Sequence, residues 1–211
     1  MQREDTSSGA ALRACVSGPA ARVPAMASTD TSAAPSSRKR LPRAFGPGEE
    51  VRYSVVEAPL GVLLVAAGTR GVCAILMGDD APALVADLAR RFPGSRLCAE
   101  SAPVEAAEVR RFLEAPASEL ALPLELGGTP FQQRVWAALQ EIPAGRTESY
   151  TDVARRLGLP RSVRAVAQAC GANAHAVAIP CHRVVRSDGG LSGYRWGVAR
   201  KRQLLERERA P

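Results

Sequence analysis

Histidine is nearly absent from this chain: its 211 residues contain two, His175 and His182. The five cysteines, Cys15, Cys73, Cys98, Cys170 and Cys181, are odd in number and scattered. They build neither a disulfide framework nor a paired C-x-x-C metal pattern. His175 and Cys170 sit at no familiar ligand spacing, so no metal is expected. No apolar run approaches the ~20 residues that cross a bilayer, and no membrane partner is expected. The N-terminus also lacks the continuous apolar stretch of a secretory leader. A reducing cytoplasmic location, in which free thiols persist, is the expectation.

What is present is positive charge, unevenly spread. Residues 1–45 hold seven Lys/Arg against three Asp/Glu, and residues 46–126 hold seven against twelve. Residues 127–211 hold fourteen against six, a net of +8. A basic C-terminal part suits a polyanion, above all nucleic acid, although a solvated Arg-rich surface has the same composition.

Three regions follow. Residues 1–45 are basic, rich in Ala, Ser and Pro, and almost without aromatics, so disorder is expected there. Residues 49–126 read as a small α/β scaffold domain. Runs at 51–57, 61–67 and 71–77, parted by Pro59-Leu60-Gly61 and Gly68-Thr69-Arg70-Gly71, predict an antiparallel meander. Leu84, Val85, Leu88 and Phe92 predict a helix that Pro93-Gly94 stops. Residues 103–114 predict another, with Val104, Val109, Phe112 and Leu113 on one side. "SELALPLEL", 118–126, reads as a last strand or an extended linker.

Residues 127–211 turn helical, so the fold class is α+β. Phe131, Val135, Leu139 and Ile142 form one stripe behind Pro130. Ser149 and Asp152 have capping-box spacing, and two short helices around Gly158-Leu159-Pro160 fit a helix-turn-helix. The second carries Arg161 and Arg164 among Ala165, Ala167 and Ala169, small residues that let a backbone approach a duplex.

"AIPCHRVVRSDG", 178–189, poses the chemical question. Cys181 is open to three readings: activated nucleophile, metal ligand with His182, or small buried hydrophobe. A nucleophilic thiol needs a base or positive field nearby, and His182 and Arg183 adjoin it. Adjacent side chains diverge, however, so a water relay or a long-range effect fits better than a direct Cys181–His182 hydrogen bond. Glu206 and Glu208 are candidate carboxylates for fixing the imidazole tautomer.

"IPCHRVVRSDGGLSGYRWGVARKRQLL", with "TPFQQRVWAALQEIPAGRTESYTDVARRLGLPRSVRAVAQACGAN" before it, resembles the O6-alkylguanine-DNA alkyltransferases of bacterial type. The resemblance is strong over 129–208 and looser over 51–126, where it implies a ribonuclease H-like domain. It implies that Cys181 accepts the alkyl group, that His182 takes its proton through water, and that Glu208 orients His182. Asn173 would tie the DNA-binding helices to the active-site turn. Tyr150, Val184, Tyr194, Arg195 and Lys201 match substrate-binding positions. Arg164 matches the finger that replaces the flipped nucleotide, with Arg161, Ser162 and Ala165 facing DNA beside it.

The implied function is single-turnover repair of O6-alkylguanine, and possible O4-alkylthymine, in double-stranded DNA, by a monomer at the nucleoid without cofactor. Arg195 and Trp196 after the pocket tyrosine imply a narrow pocket that reacts poorly with O6-benzylguanine. The scaffold domain lacks the histidines that hold zinc in some members, so no zinc is expected. The alternatives are a non-enzymatic binder of alkylated DNA, which Cys181 argues against, and a helix-turn-helix regulator.

Overall fold

The three predicted apolar runs form a meander. In the computed structural model, which describes residues 48–101, 104–115, 120–191 and 193–209, they are β1 (Glu50–Ala58), β2 (Gly61–Ala67) and β3 (Val72–Gly78), paired antiparallel in order. The expectation for 1–45 lies outside the described residues. β2 and β3 are buried along nearly their whole length, which is why both read as continuous apolar runs rather than alternating ones.

α1 (Ala81–Arg91) starts where Asp80 accepts the Ala83 amide at 2.8 Å, with Pro82 in its first turn. A short strand follows that the sequence reading did not anticipate. β4 (Arg96–Ala99) pairs parallel with β1, so the sheet order is β3-β2-β1-β4 and the sheet is mixed. At four residues, "RLCA" is too short to show periodicity.

α2 (Val104–Glu114) buries Ala106, Val109, Phe112 and Leu113. Val104 was expected on that face but is 70% exposed. It opens the helix, and its side chain leans toward the N-terminus, beyond the turn that meets the core. Residues 120–126 run extended past β3 and make a single bridge, Val72 to Leu124. Here the Val72 amide donates to Pro123 O and the Glu125 amide to Val72 O, both at 2.8 Å. Gly71 permits this crossing: its φ is +140°, and a Cβ there would lie 2.2 Å from Pro123 O.

The C-terminal part contains α3 (Pro130–Gln140), β5 (Glu148–Ser149), α4 (Tyr150–Arg156), α5 (Val163–Ala172), β6 (Val184–Val185) and α6 (Val198–Arg209). Complete capping boxes open α3 at Thr129–Gln132 and α4 at Ser149–Asp152. Trp136 on α3 donates to Ala169 O on α5 at 2.9 Å, locking the two helices.

The edge of the sheet completes the assembly. Ile75 of β3 donates to Ala174 O at 2.8 Å and accepts from the Ala176 amide at 2.9 Å. The chain leaving α5 thus continues the cover that residues 123–125 begin along the β3 edge, and one buried apolar cluster takes in residues from Val51 to Leu204.

Candidate active site

Cys181 opens a single 3-10 turn, Cys181–Arg183, immediately after Pro180. The turn is reached from α5 through Asn173, the residue that caps that helix. Asn173 is fully buried. Its Nδ2 donates to Ile179 O at 2.9 Å, to His175 O at 3.3 Å and to Cys181 Sγ at 3.2 Å. Its Oδ1 accepts the His175 amide at 2.8 Å. One side chain therefore closes the loop between α5 and the thiol. Within that loop Val177 has φ +59°, a left-handed conformation uncommon for a β-branched residue. Backbone strain of this kind concentrates at functional turns.

His182 is fully buried, and its Nε2 lies 2.7 Å from Glu208 Oε1. Its Nδ1 is buried without a hydrogen-bond partner among the described residues. Glu208 can only accept when ionised, so Nε2 carries the proton and Nδ1 keeps a free lone pair. No direct hydrogen bond joins His182 to Cys181, in line with the divergence of adjacent side chains.

Burial alone would raise the Glu208 carboxyl. The hydrogen bonds from His182 and Arg183, with their charges, outweigh it and hold the group at about 2. Arg183 grips both carboxylate oxygens, with Nε 3.1 Å from each and Nη2 2.9 Å from Oε1. Gly145, with φ +73°, donates its amide to Glu208 Oε2 at 3.3 Å. Burial lowers the His182 pKa, and Glu208 offsets that only in part, so the resting pair is neutral imidazole with carboxylate.

The thiol is not activated at rest. Cys181 is 4% exposed, and burial pushes it up to about 11, with the Asn173 hydrogen bond and the Lys201 charge pulling the other way. Lys201 is fully buried and donates Nζ to Val184 O at 2.5 Å. It stands on the face of α6 that also presents Leu204 and Glu208, spaced to meet one site. Tyr194 stacks edge-on between His182, centroids 6.4 Å apart, and Trp196, at 5.1 Å. Its hydroxyl is buried without a partner among the described residues. The parallel pair β5–β6 aligns Glu148 with Val184 and Ser149 with Val185, so the chain entering α4 at Tyr150 is tied to the chain leaving the Cys181 turn.

The helix-turn-helix consists of α4, a turn through Gly158, and α5. Arg161 and Arg164 are exposed and make no ion pair with any described residue. Ser162 makes no side-chain cap, and Ala165 is partly exposed. Ala169 was expected among the small residues facing a duplex, but it is 1% exposed and packs inward. The Arg195 guanidinium is engaged with Gly171 O at 3.1 Å and Asp87 at 3.5 Å. Glu206 is exposed. Among the described residues no cluster of three or more His, Cys, Asp or Glu could hold a metal ion, and no helix is long and apolar enough to cross a membrane.

Residues 130–210 match the family model described as 6-O-methylguanine DNA methyltransferase, DNA binding domain. The inducible methylated-DNA–protein-cysteine methyltransferase of Bacillus subtilis (strain 168) is 44% identical over 122 residues, 57% of this chain and 68% of that protein. The chain belongs to this family. It is also 51% identical over 164 residues, 75% of its length, to the bifunctional transcriptional activator/DNA repair enzyme Ada of Escherichia coli (strain K12), and spans 45% of that protein, about half. The Mycobacterium tuberculosis OGT protein, crystallised in complex with DNA, superposes with a TM-score of 0.62 and 34% identity, over 75% of this chain and 92% of that one.

For this methyltransferase-family chain, the sequence reading left out two residues that the geometry brings in. Arg183 was read only as a basic neighbour of Cys181; it is buried and clamps Glu208. Its place next to Cys-His was the available signal. Gly145 carries no site signal, because nothing in the sequence points to its amide as a donor to Glu208.

Proposed function

We propose that this chain repairs O6-alkylguanine in double-stranded DNA by moving the alkyl group onto Cys181 once. The observation that carries the proposal is the buried row Cys181, His182, Glu208 and Arg183, with the free Nδ1 lone pair of His182 beside the thiol turn.

A thiol at about 11 is thiolate in roughly one part in ten thousand at pH 7, so attack needs a base. His182 Nδ1 takes the Cys181 proton through a water, and Glu208, held ionised by Arg183, stabilises the imidazolium that forms. Lys201 offsets the new thiolate charge. The sulfur then attacks the alkyl carbon in line: the S–C bond forms, the C–O6 bond breaks, and its electron pair leaves with guanine. Guanine takes up one proton, equal to the one the thiol lost. A thioether does not hydrolyse, so each chain acts once and needs no cofactor.

That carbon is out of reach inside a duplex, so the nucleotide must be extruded at a cost of a few kcal/mol. Arg164, exposed on α5, fills the gap, and Arg161, Ser162 and Ala165 contact the backbone around it. The basic C-terminal part adds sequence-independent phosphate affinity. Tyr150, Val184, Tyr194 and Arg195 border the pocket, with Tyr150 donating to the base. The protein works as a monomer, in the cytoplasm at the nucleoid, and the DNA-bound Mycobacterium tuberculosis neighbour supports the DNA partner.

The test uses an O6-methylguanine duplex with the intact chain and with Cys181→Ala. Loss of methyl from the base with the intact chain, and binding without loss with the variant, supports the proposal. Binding without transfer by the intact chain supports the non-enzymatic lesion binder instead.

A further inference from the structure

His175 is the histidine that the reaction leaves unused. It is 2% exposed and flanked by Ala174, Ala176 and Val177, where a leucine would satisfy packing. Burial pushes the ring down to about 4, so at neutral pH it carries one proton. Its Nε2 lies 3.2 Å from Val72 O, which can only accept, so that proton is on Nε2. Nδ1 is buried and makes no hydrogen bond of ordinary geometry among the described residues, although the Glu125 backbone also acts on the ring. A buried, half-satisfied polar ring needs a reason to be there.

The surrounding bonds supply one. The Val72 carbonyl accepts from both the His175 ring and the Glu125 amide, joining β3, the 120–126 segment and the chain after α5 at one atom. The backbone of His175 in turn holds both ends of the Asn173 amide, N to Oδ1 at 2.8 Å and O from Nδ2 at 3.3 Å. Asn173 Nδ2 then donates to Cys181 Sγ at 3.2 Å. Without the ring, residues 174–176 are held to β3 only by the two bonds to Ile75, and a pair of bonds to one residue permits pivoting. The ring adds a third contact three residues away along β3 and removes that freedom.

We infer that His175 is a positioning residue for the transfer reaction: from the edge of the N-terminal sheet it fixes the Asn173 amide that holds Cys181 Sγ. The inference rests on the function proposed above, and it gives the N-terminal sheet a part in the chemistry beyond support.

The test measures single-turnover methyl transfer from an O6-methylguanine duplex, with protein in excess, for the full chain and for His175→Leu and His175→Gln. Failure of the unaltered chain to transfer would refute the function itself, and the variants are read only against a working parent. Loss of one hydrogen-bonded anchor predicts a limiting rate roughly five- to tenfold lower in His175→Leu, with the half-saturating DNA concentration and Tm held. Glutamine restores a donor toward Val72 O and should return the rate to within about twofold of the parent. Met takes the place of Leu if that variant does not fold. A parental rate in His175→Leu would overturn the inference. So would rate and Tm falling together with glutamine no better, or failure of both apolar variants to fold.

Discussion

His182 and Glu208 meet at 2.7 Å across 26 residues of chain, with both side chains shielded from water. That hydrogen bond leaves one imidazole nitrogen with a proton and the other with a lone pair. Arg183 donates to both oxygens of the same carboxylate, so the tautomer of His182 is decided by three buried side chains.

The first prediction concerns that clamp. Arg183→Met removes a charge that grips both carboxylate oxygens and leaves Glu208 buried with only His182 and the Gly145 amide. Breaking one partner of a buried pair costs about 3–5 kcal/mol. The variant should unfold at clearly lower urea and transfer methyl at least about tenfold more slowly, whereas Arg183→Lys should recover part of both. Urea titration and single-turnover kinetics check this.

Acid should weaken the fold in two windows. Burial holds His175 at about 4 and also lowers His182, so the native rings refuse a proton that the unfolded chain accepts near 6.5. Their contribution is complete above that pH and is lost as pH falls, for His175 down through about 4. Glu208, ordinarily 4.5 but held at about 2, contributes fully above 4.5 and loses its contribution as pH falls through 2. For His175 and for Glu208 the contribution is on the order of 3 kcal/mol, less for Glu208 to the extent that solvent screens it. Unfolding free energy measured against pH should fall in both windows, and His175→Leu should reduce the upper fall to the His182 contribution.

Arg164 is exposed and unpaired among the described residues. Arg164→Ala should leave stability within about 0.5 kcal/mol of the parent, as surface changes do. Transfer from duplex DNA should nonetheless slow by roughly tenfold or more, because the cost of extrusion goes uncompensated. Single-stranded substrate, already unstacked, should be much less affected.

Trp196 backs the Tyr194 ring at a centroid distance of 5.1 Å and is 6% exposed. The tyrosine is therefore held rather than free to yield to a bulky alkyl group. The intact chain should react slowly with O6-benzylguanine, and Trp196→Ala should react faster with it than the parent does. Inactivation rates with the free base decide the matter; rapid inactivation of the parent would contradict the narrow pocket.

Much of this was legible in the sequence, and the parts that were not have physical reasons. Ser149–Asp152 announced its capping box, and the apolar runs announced β1, β2 and β3, because those signals are local. β4 escaped notice because four residues cannot show a period, and Val104 misled because a stripe ignores where a helix begins. The Cys181–His182 adjacency correctly argued against direct contact. Basic neighbours in sequence suggested an activated thiol, yet burial raises it to about 11, because the dielectric around Sγ is set by the fold and not by residues 182 and 183. Arg183, Gly145 and His175 act through partners tens of residues away, and no spacing rule reports such contacts.

The central claim is that Cys181 is consumed by alkyl transfer, and stoichiometry combined with peptide mass tests it most directly. With excess O6-methylguanine duplex, the account predicts one methyl gained per chain, no further turnover, and the added mass on the peptide containing Cys181. Repeated turnover, a methyl on any other residue, or loss of substrate without modified protein would contradict it.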